Sequence, residues 1–113
     1  MGPLLLRKGG VQFVREQDGP AERLLKARLV ELFERGNIRR AYLAQISLDG
    51  QSGVALCLSG KNPPDSQLVS AIGVIFGAIF VTTDHLDILF LNDPEESALS
   101  AVCAPFYSAI SAT

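Results

Sequence analysis

The fold is decided by residues 41–58, which read AYLAQISLDGQSGVALCL. The first eight residues alternate, with Tyr42 and Ile46 on one face of a strand and Gln45 and Ser47 on the other. The next five residues, DGQSG, have the composition of a turn, and VALCL resumes the extended pattern. The stretch therefore predicts an antiparallel β-hairpin.

A helix and an extended segment precede this hairpin. Pro20 suits the first turn of a helix, where its missing N–H costs nothing, and Gly36 with Asn37 is the expected end. Apolar residues recur between them at helical spacing: Leu24, Leu25, Leu29, Leu32 and Phe33. Upstream, the apolar residues 4–6 and 11–14 flank two glycines and predict a short hairpin or a bent entry strand.

A second helix is predicted over residues 68–81, with Asp65 or Ser66 as its cap. It is apolar on nearly every side, and glycines interrupt it at Gly73 and Gly77. Its length is well below the ~20 residues that a bilayer crossing requires. A helix that is apolar all round is instead buried, or half buried and half presented to a partner.

The remaining elements are a strand and a last helix. The run LDILFL, residues 86–91, predicts the strand. Asp93 is the expected cap of the helix, with Pro94 in its first position. Its apolar residues are Leu99, Val102, Cys103 and Phe106, and we expect it to be broken or bent near Pro105.

These elements predict the fold class. A chain of 113 residues falls within the usual range for one domain, here residues 1–113. We expect an α+β domain: a mostly antiparallel sheet of three to five strands with three helices packed on it.

The net charge of −2 argues against a nucleic-acid binder, which normally carries a basic surplus. The charge is unevenly distributed: residues 1–40 hold nine basic side chains against five acidic ones, whereas residues 41–113 hold one against seven. Such asymmetry marks either a partner surface or two halves that attract each other in the folded domain.

Cysteine usage and the N-terminal sequence bear on location. Cys57 and Cys103 lie in apolar or small-residue segments and do not make a disulfide framework, so we expect two buried thiols. Residues 4–6 are too short a leucine run for a signal peptide. We therefore expect a cytoplasmic protein with no membrane segment.

His85, the only histidine, lies between Asp84 and Asp87. A metal site needs several converging ligands, and no second histidine or nearby cysteine completes a set. The serines lack a Gly-x-Ser-x-Gly elbow, and no phosphate-binding glycine loop is present. We therefore expect no metal, no cofactor and no catalytic residue. A hydrolase-type enzyme that pairs His85 with Asp84 or Asp87 is an alternative to a non-enzymatic function.

Four short motifs occur along the chain: GPAE at 19–22, RAYLAQ at 40–45, LDILFL at 86–91 and APFY at 104–107. In that order and at those separations the chain resembles the C-terminal domain of the SseB family, the "enhanced serine sensitivity" bacterial proteins. The resemblance covers roughly residues 11–107. It implies a bacterial cytoplasmic protein known mainly by a phenotype, in which this domain often follows a related N-terminal one. It supplies no catalytic residues.

The helix over residues 68–81 carries more apolar side chains than one sheet covers, because a helix shows a sheet only about a third to a half of its circumference. The other helices or a second chain must cover the rest. Gly73 and Gly77 either let the helix lie close against the sheet or form a dimer seam. The candidate interface residues are Val69, Ile72, Val74, Ile75, Phe76 and Ile79.

The expected function is a non-enzymatic interaction or regulatory module that engages a protein partner or itself, as a homodimer. The alternative is a small-ligand sensor with an apolar pocket between the 68–81 helix and the sheet. A flat, exposed apolar patch favours the module, whereas a buried, empty apolar pocket favours the sensor.

Overall fold

The computed structural model describes residues 4–6, 11–35, 38–48, 50–60, 63–80 and 86–109. Three helices lie in these ranges: α1 (Pro20–Phe33), α2 (Ser66–Ile79) and α3 (Asp93–Ser100). The strands are β1 (Leu4–Leu6), β2 (Val11–Glu16), β3 (Ile38–Leu48), β4 (Gln51–Gly60), β5 (Asp87–Phe90) and β6 (Tyr107–Ser108). Within the described part of the chain, no helix combines the length and the apolar character that a bilayer crossing requires.

The strands form one open, mostly antiparallel sheet that is five strands wide, in the order β1-β5-β4-β3-β2. β3 pairs antiparallel with β4 and β2, whereas β5 runs parallel to both β4 and β1. β6 pairs with the start of β3, at Arg40 and Ala41, so that β2 and β6 share one position in the sheet. The predicted α+β class, with its antiparallel sheet and three helices, is confirmed.

The central hairpin is confirmed and is longer than predicted. Leu48 faces Gln51 across the β3–β4 pair, so the turn consists of two residues rather than five. Gly50 has a φ of 82°, in the left-handed region that glycine adopts without a steric penalty. Two-residue hairpin turns of the Asp-Gly type use this conformation because its twist matches that of the flanking strands.

Of the two alternatives for the first two apolar runs, the hairpin is wrong, and the bend of the other, a bent entry strand, falls at residues 7–10, outside the described residues. β1 pairs with β5 at one edge of the sheet, and β2 pairs with β3 at the other. Strand propensity shows that a segment is extended, but its partner is set by burial against residues distant in sequence. The two short runs therefore carry no local signal that separates the arrangements.

Polar side chains cap the second and third helices. The Asp65 carboxylate accepts a hydrogen bond from the Leu68 N–H at 2.8 Å, as predicted. The cap of α3 is Asn92 rather than Asp93. The Asn92 side chain accepts from the Glu95 N–H at 2.9 Å, and the Glu95 carboxylate accepts from the Asn92 N–H at 2.8 Å. This reciprocal capping box fixes the start one residue earlier than predicted.

The end of α3 also differs from the prediction. α3 ends at Ser100, and Phe106 lies beyond it with its N–H donating to the Ala41 carbonyl at 2.9 Å. Pro105 explains why the helix does not reach Phe106, because proline cannot continue a helix and disfavours helical geometry in the residue before it. α1 ends at Phe33, and the predicted stop at Gly36 and Asn37 lies outside the described residues.

Buried side chains fill both faces of the sheet, because successive residues of a strand point to opposite sides. α1 and α2 cover one face, where the core comprises Leu25, Leu29, Phe33, Ile38, Ala41, Leu43, Leu56, Leu58, Ile72, Leu86 and Ile88. α3 and the segment after it cover the other, where the core comprises Tyr42, Ala44, Ile46, Ala55, Cys57, Leu89, Leu91, Leu99 and Cys103. The domain therefore has three layers, with the sheet in the middle.

The first testable prediction concerns the core beneath α1. Leu29→Ala should lower the free energy of unfolding by about 2–5 kcal/mol, because Leu29 is completely buried and its truncation leaves a cavity. Leu24→Ala, the same change at a half-exposed position of the same helix, should cost less than about 1 kcal/mol. Urea unfolding of both variants measures this, and equal losses would contradict the described orientation of α1.

Candidate interaction face and polar cleft

The outward side of α2 is uncharged, and it combines apolar and small residues with the exposed polar side chains of Ser66, Gln67 and Ser70. The helix has no charged residue, and only Ile72 among its residues is fully buried. On the opposite side Val74 is 73% exposed. Ser70, Gly77 and Ala78 are exposed beside it. These four exposed residues, Ser70, Val74, Gly77 and Ala78, are called the α2 face below.

The six candidate interface residues fall into three groups in the structure. Ile72 is buried in the core and cannot contact a partner, so its place in the set is wrong. Val74 lies at the centre of the α2 face. The others pack against the core and keep part of their surface exposed: Val69, Ile75, Phe76 and Ile79. The interface itself stays a prediction.

The two glycines do not both bring α2 close to the sheet. Gly77 lies on the exposed side, and a Cβ built there would meet no atom within 4 Å. Close approach to the sheet is therefore the wrong explanation for Gly77. Because glycine has no side chain, Gly77 leaves the α2 face shallow, so that the backbone of another helix has room to approach.

A groove of about 320 Å³ lies beside the α2 face. It is lined by two half-buried residues, Leu32 of α1 and Ile75 of α2. Arg28 and Glu31 of α1, together with Arg35 in the turn after it, complete the lining. These three side chains have no ion-pair partner within the part of the chain that the structure describes.

Glu96 is a buried carboxylate on the other side of the sheet, between α3 and strands β3 and β4. Its side chain is 8% exposed. Three donors converge on Oε2: Arg40 Nε at 2.6 Å, the Tyr42 hydroxyl at 2.7 Å and the Ser59 hydroxyl at 3.0 Å. The Nη2 atoms of Arg39 and Arg40 each lie 3.4 Å from Oε1. This set is called the Glu96 cluster.

The sequence carries a signal for this cluster, although none of the predictions above includes it. The pleat of β3 places Arg40 and Tyr42 on one face of the sheet. Helical spacing places Glu96 three residues before the buried Leu99, on the buried side of α3. A carboxylate on the buried stripe of a helix indicates a polar partner on the facing element.

Glu96 and Tyr42 are each held in one protonation state at neutral pH. Burial alone would raise the pKa of the Glu96 carboxyl, but hydrogen bonds from Arg40, Tyr42 and Ser59 outweigh it and lower the pKa to about 2. Burial and the hydrogen bond to Glu96 raise the pKa of Tyr42 to about 12. The pair is suited to holding charge in place rather than to transferring protons near pH 7.

A second cleft, of about 340 Å³, opens to solvent above the Glu96 cluster and is called the polar cleft. Its lining residues are Arg39, Arg40, Tyr42, Asp93, Glu96, Ser97 and Ser100. Asp93 is 94% exposed, and its Oδ1 lies 3.7 Å from Arg39 Nη2. Neither this cleft nor the groove beside α2 lies between α2 and the sheet, where the sensor alternative expected a pocket.

Cys57 and Cys103 are both free and buried, as predicted. Burial raises the pKa of the Cys57 thiol far above its ordinary value and raises the pKa of Cys103 to about 11. His85 and Asp84 lie outside the described residues. Among the residues that are described, no group of three or more His, Cys, Asp and Glu side chains converges to hold a metal ion.

Comparison with known proteins identifies a family. The family model described as "SseB protein C-terminal domain" matches residues 9–108, so the chain belongs to this family. The family suggested by the four sequence motifs is thereby confirmed. No match was found among curated proteins or solved structures.

The Glu96 cluster predicts how stability depends on pH. A carboxyl whose pKa falls from 4.5 when unfolded to about 2 when folded adds stability that is complete above pH 4.5 and disappears as the pH falls towards 2. At pH 7 the Glu96→Gln variant should therefore be less stable than the wild type by about 3 kcal/mol. The two stability curves should converge as the pH is lowered.

The measurement is chemical denaturation across this pH range, with Glu34→Gln as the matched control. Glu34 is exposed and lies in the turn after α1, away from the cluster. Its variant should follow the wild-type curve. A Glu96→Gln curve parallel to the wild-type curve would contradict the assignment.

The thiols should react slowly in the native protein, because the reactive species is the thiolate and burial disfavours it at both cysteines. A thiol reagent should label both cysteines rapidly only after denaturant is added. Rapid stoichiometric labelling of Cys57 in the folded protein would show that the sheet core is open at that position.

Proposed function

We propose that this domain is a non-enzymatic interaction module that associates with a second copy of itself through the α2 face. The observation that carries the proposal is the exposure of Val74 on a helix with no charged residue. A solvent-facing helix ordinarily carries charge on its outer side. α1 does so in this chain with Arg23, Arg28 and Glu31.

A second copy is favoured over an unlike partner because the α2 face is uncharged and shallow. An uncharged surface offers no selectivity for a charged partner, whereas a symmetric pair buries the same apolar patch twice. The exposed Gly77 and Ala78 let two such helices approach closely.

The charges beside the α2 face support the same choice. Arg28, Glu31 and Arg35 include both signs, and none has an ion-pair partner among the described residues. In a two-fold arrangement an arginine of one copy faces the glutamate of the other, and the reverse contact follows by symmetry. The rim is therefore self-complementary.

The chemistry of the described polar groups supports a non-enzymatic role. Glu96 and Tyr42 do not change protonation near pH 7, and the Cys57 and Cys103 thiols are buried and protonated. Two free thiols also fit a reducing compartment, so we place the module in a bacterial cytoplasm.

Sedimentation equilibrium at micromolar concentrations tests the association. The wild type should be in a concentration-dependent equilibrium between monomer and dimer. Val74→Lys should weaken the dimer by about tenfold or more, since the interface would bury an unpaired charge. Ala98→Lys provides the matched control, because it adds the same charge at an exposed position of α3 on the opposite side of the sheet.

A wild type that remains monomeric throughout would overturn self-association. Equal weakening by Val74→Lys and Ala98→Lys would show that net charge, rather than the α2 face, controls association. An unlike protein that binds the wild type and Ala98→Lys but not Val74→Lys, while the domain alone stays monomeric, would replace the second copy as the occupant.

A further inference from the structure

We propose that the polar cleft is a binding site for an oxyanion, the carboxylate or phosphate group of a small ligand, held between Arg39 and Arg40. The proposal is independent of the α2 face, which lies on the other side of the sheet. It rests on the position of the two guanidinium groups, on the donors that they leave unused and on the contact between Arg39 and Asp93.

Glu96 positions the two guanidinium groups. Their Nη2 atoms are both 3.4 Å from the same oxygen, Oε1, so the two cations are held as neighbours at the wall of the cleft. Glu96 itself is buried and accepts from Tyr42 and Ser59, which fix its orientation. The arginines are therefore pre-organised before a ligand arrives.

Each guanidinium keeps donors for a ligand. A guanidinium has five N–H donors. Arg40 directs Nε and Nη2 at Glu96, and Arg39 directs only Nη2 at acidic groups. Both side chains are partly exposed at the cleft, 51% for Arg39 and 39% for Arg40. Paired guanidinium donors match the geometry of carboxylate and phosphate oxygens.

The Asp93 carboxylate shows where an anionic group is attracted in the cleft, and its weak contact with Arg39 explains why a ligand can displace it. Its carboxylate lies beside Arg39 at 3.7 Å and is almost fully exposed. An exposed pair at that distance contributes little energy. A ligand oxyanion that bonds to both arginines at once exchanges with it readily, and Ser97 and Ser100 line the α3 side of the same cleft.

If the cleft binds an oxyanion, substitutions at two residues that lie side by side should change the affinity for the anion in opposite directions. Arg39→Gln should weaken anion binding by about tenfold, because one charged donor group is lost. Asp93→Asn should strengthen binding several-fold, because the competing carboxylate is removed and the cleft becomes more positive. Both changes are at exposed side chains, so both variants should fold.

The experiment is an NMR titration of the ¹⁵N-labelled protein with inorganic phosphate and, separately, with acetate, at an ionic strength kept constant with sodium chloride. Saturable shifts are expected at the side-chain N–H of Arg39 and Arg40 and along α3. Saturation by phosphate alone assigns a phosphate ligand, and saturation by acetate alone assigns a carboxylate. Arg23→Gln serves as the matched control, since it removes an exposed arginine on α1, across the sheet.

Failure of both anions to give saturable shifts would overturn the proposal. It would also be overturned if Arg39→Gln and Arg23→Gln reduced the response equally, or if Asp93→Asn weakened binding. A thermal unfolding curve recorded for each variant ensures that a lost response reflects the site rather than the fold.

Discussion

The Glu96 carboxylate accepts hydrogen bonds from Arg40 and Tyr42 on β3 and from Ser59 on β4, and the third layer of the domain depends on these contacts. Removing a charge from water costs several kcal/mol, which only well-placed donors offset. α3 is short, and its own apolar contribution to the core is chiefly Leu99. The carboxylate therefore fixes where the helix sits on the sheet, while the apolar contacts supply burial.

Contacts around Glu96 explain why charge is distributed unevenly along the sequence. Arg39 and Arg40, from the basic first part of the chain, meet Asp93 and Glu96 from the acidic second part. The two halves attract each other in the folded domain, and the polar cleft forms where they meet. The opposite layer has a different character, because α2 has no charge and leaves Val74 exposed. The two candidate functional surfaces thus lie on opposite sides of one sheet.

Much of the fold could be predicted from the sequence because its signals are local. The alternation in β3, the Asp65 cap and Pro20 each act within a few residues, and each indicated the right element. The pairing of β1 with β5 and the short strand at Tyr107 depend on distant partners, so no local pattern revealed them. The Glu96 cluster joins Glu96 to residues of β3 that are more than fifty positions away. The spacing within β3 and within α3 nevertheless shows which face of each element these residues occupy. The α2 face was predicted as a property of composition, but which residues point outward required the packed helix.

Titration of the Glu96 carboxyl by NMR shows whether this side chain is charged and fully hydrogen-bonded in the folded protein. The side-chain carboxyl ¹³C shift of Glu96 should change with a midpoint of about pH 2 in the folded protein. In Tyr42→Phe, which removes only the phenolic donor, the midpoint should rise towards the ordinary value. A wild-type midpoint near 4.5, unchanged in Tyr42→Phe, would mean that these donors do not hold the carboxylate and that Glu96 does not fix α3 on the sheet.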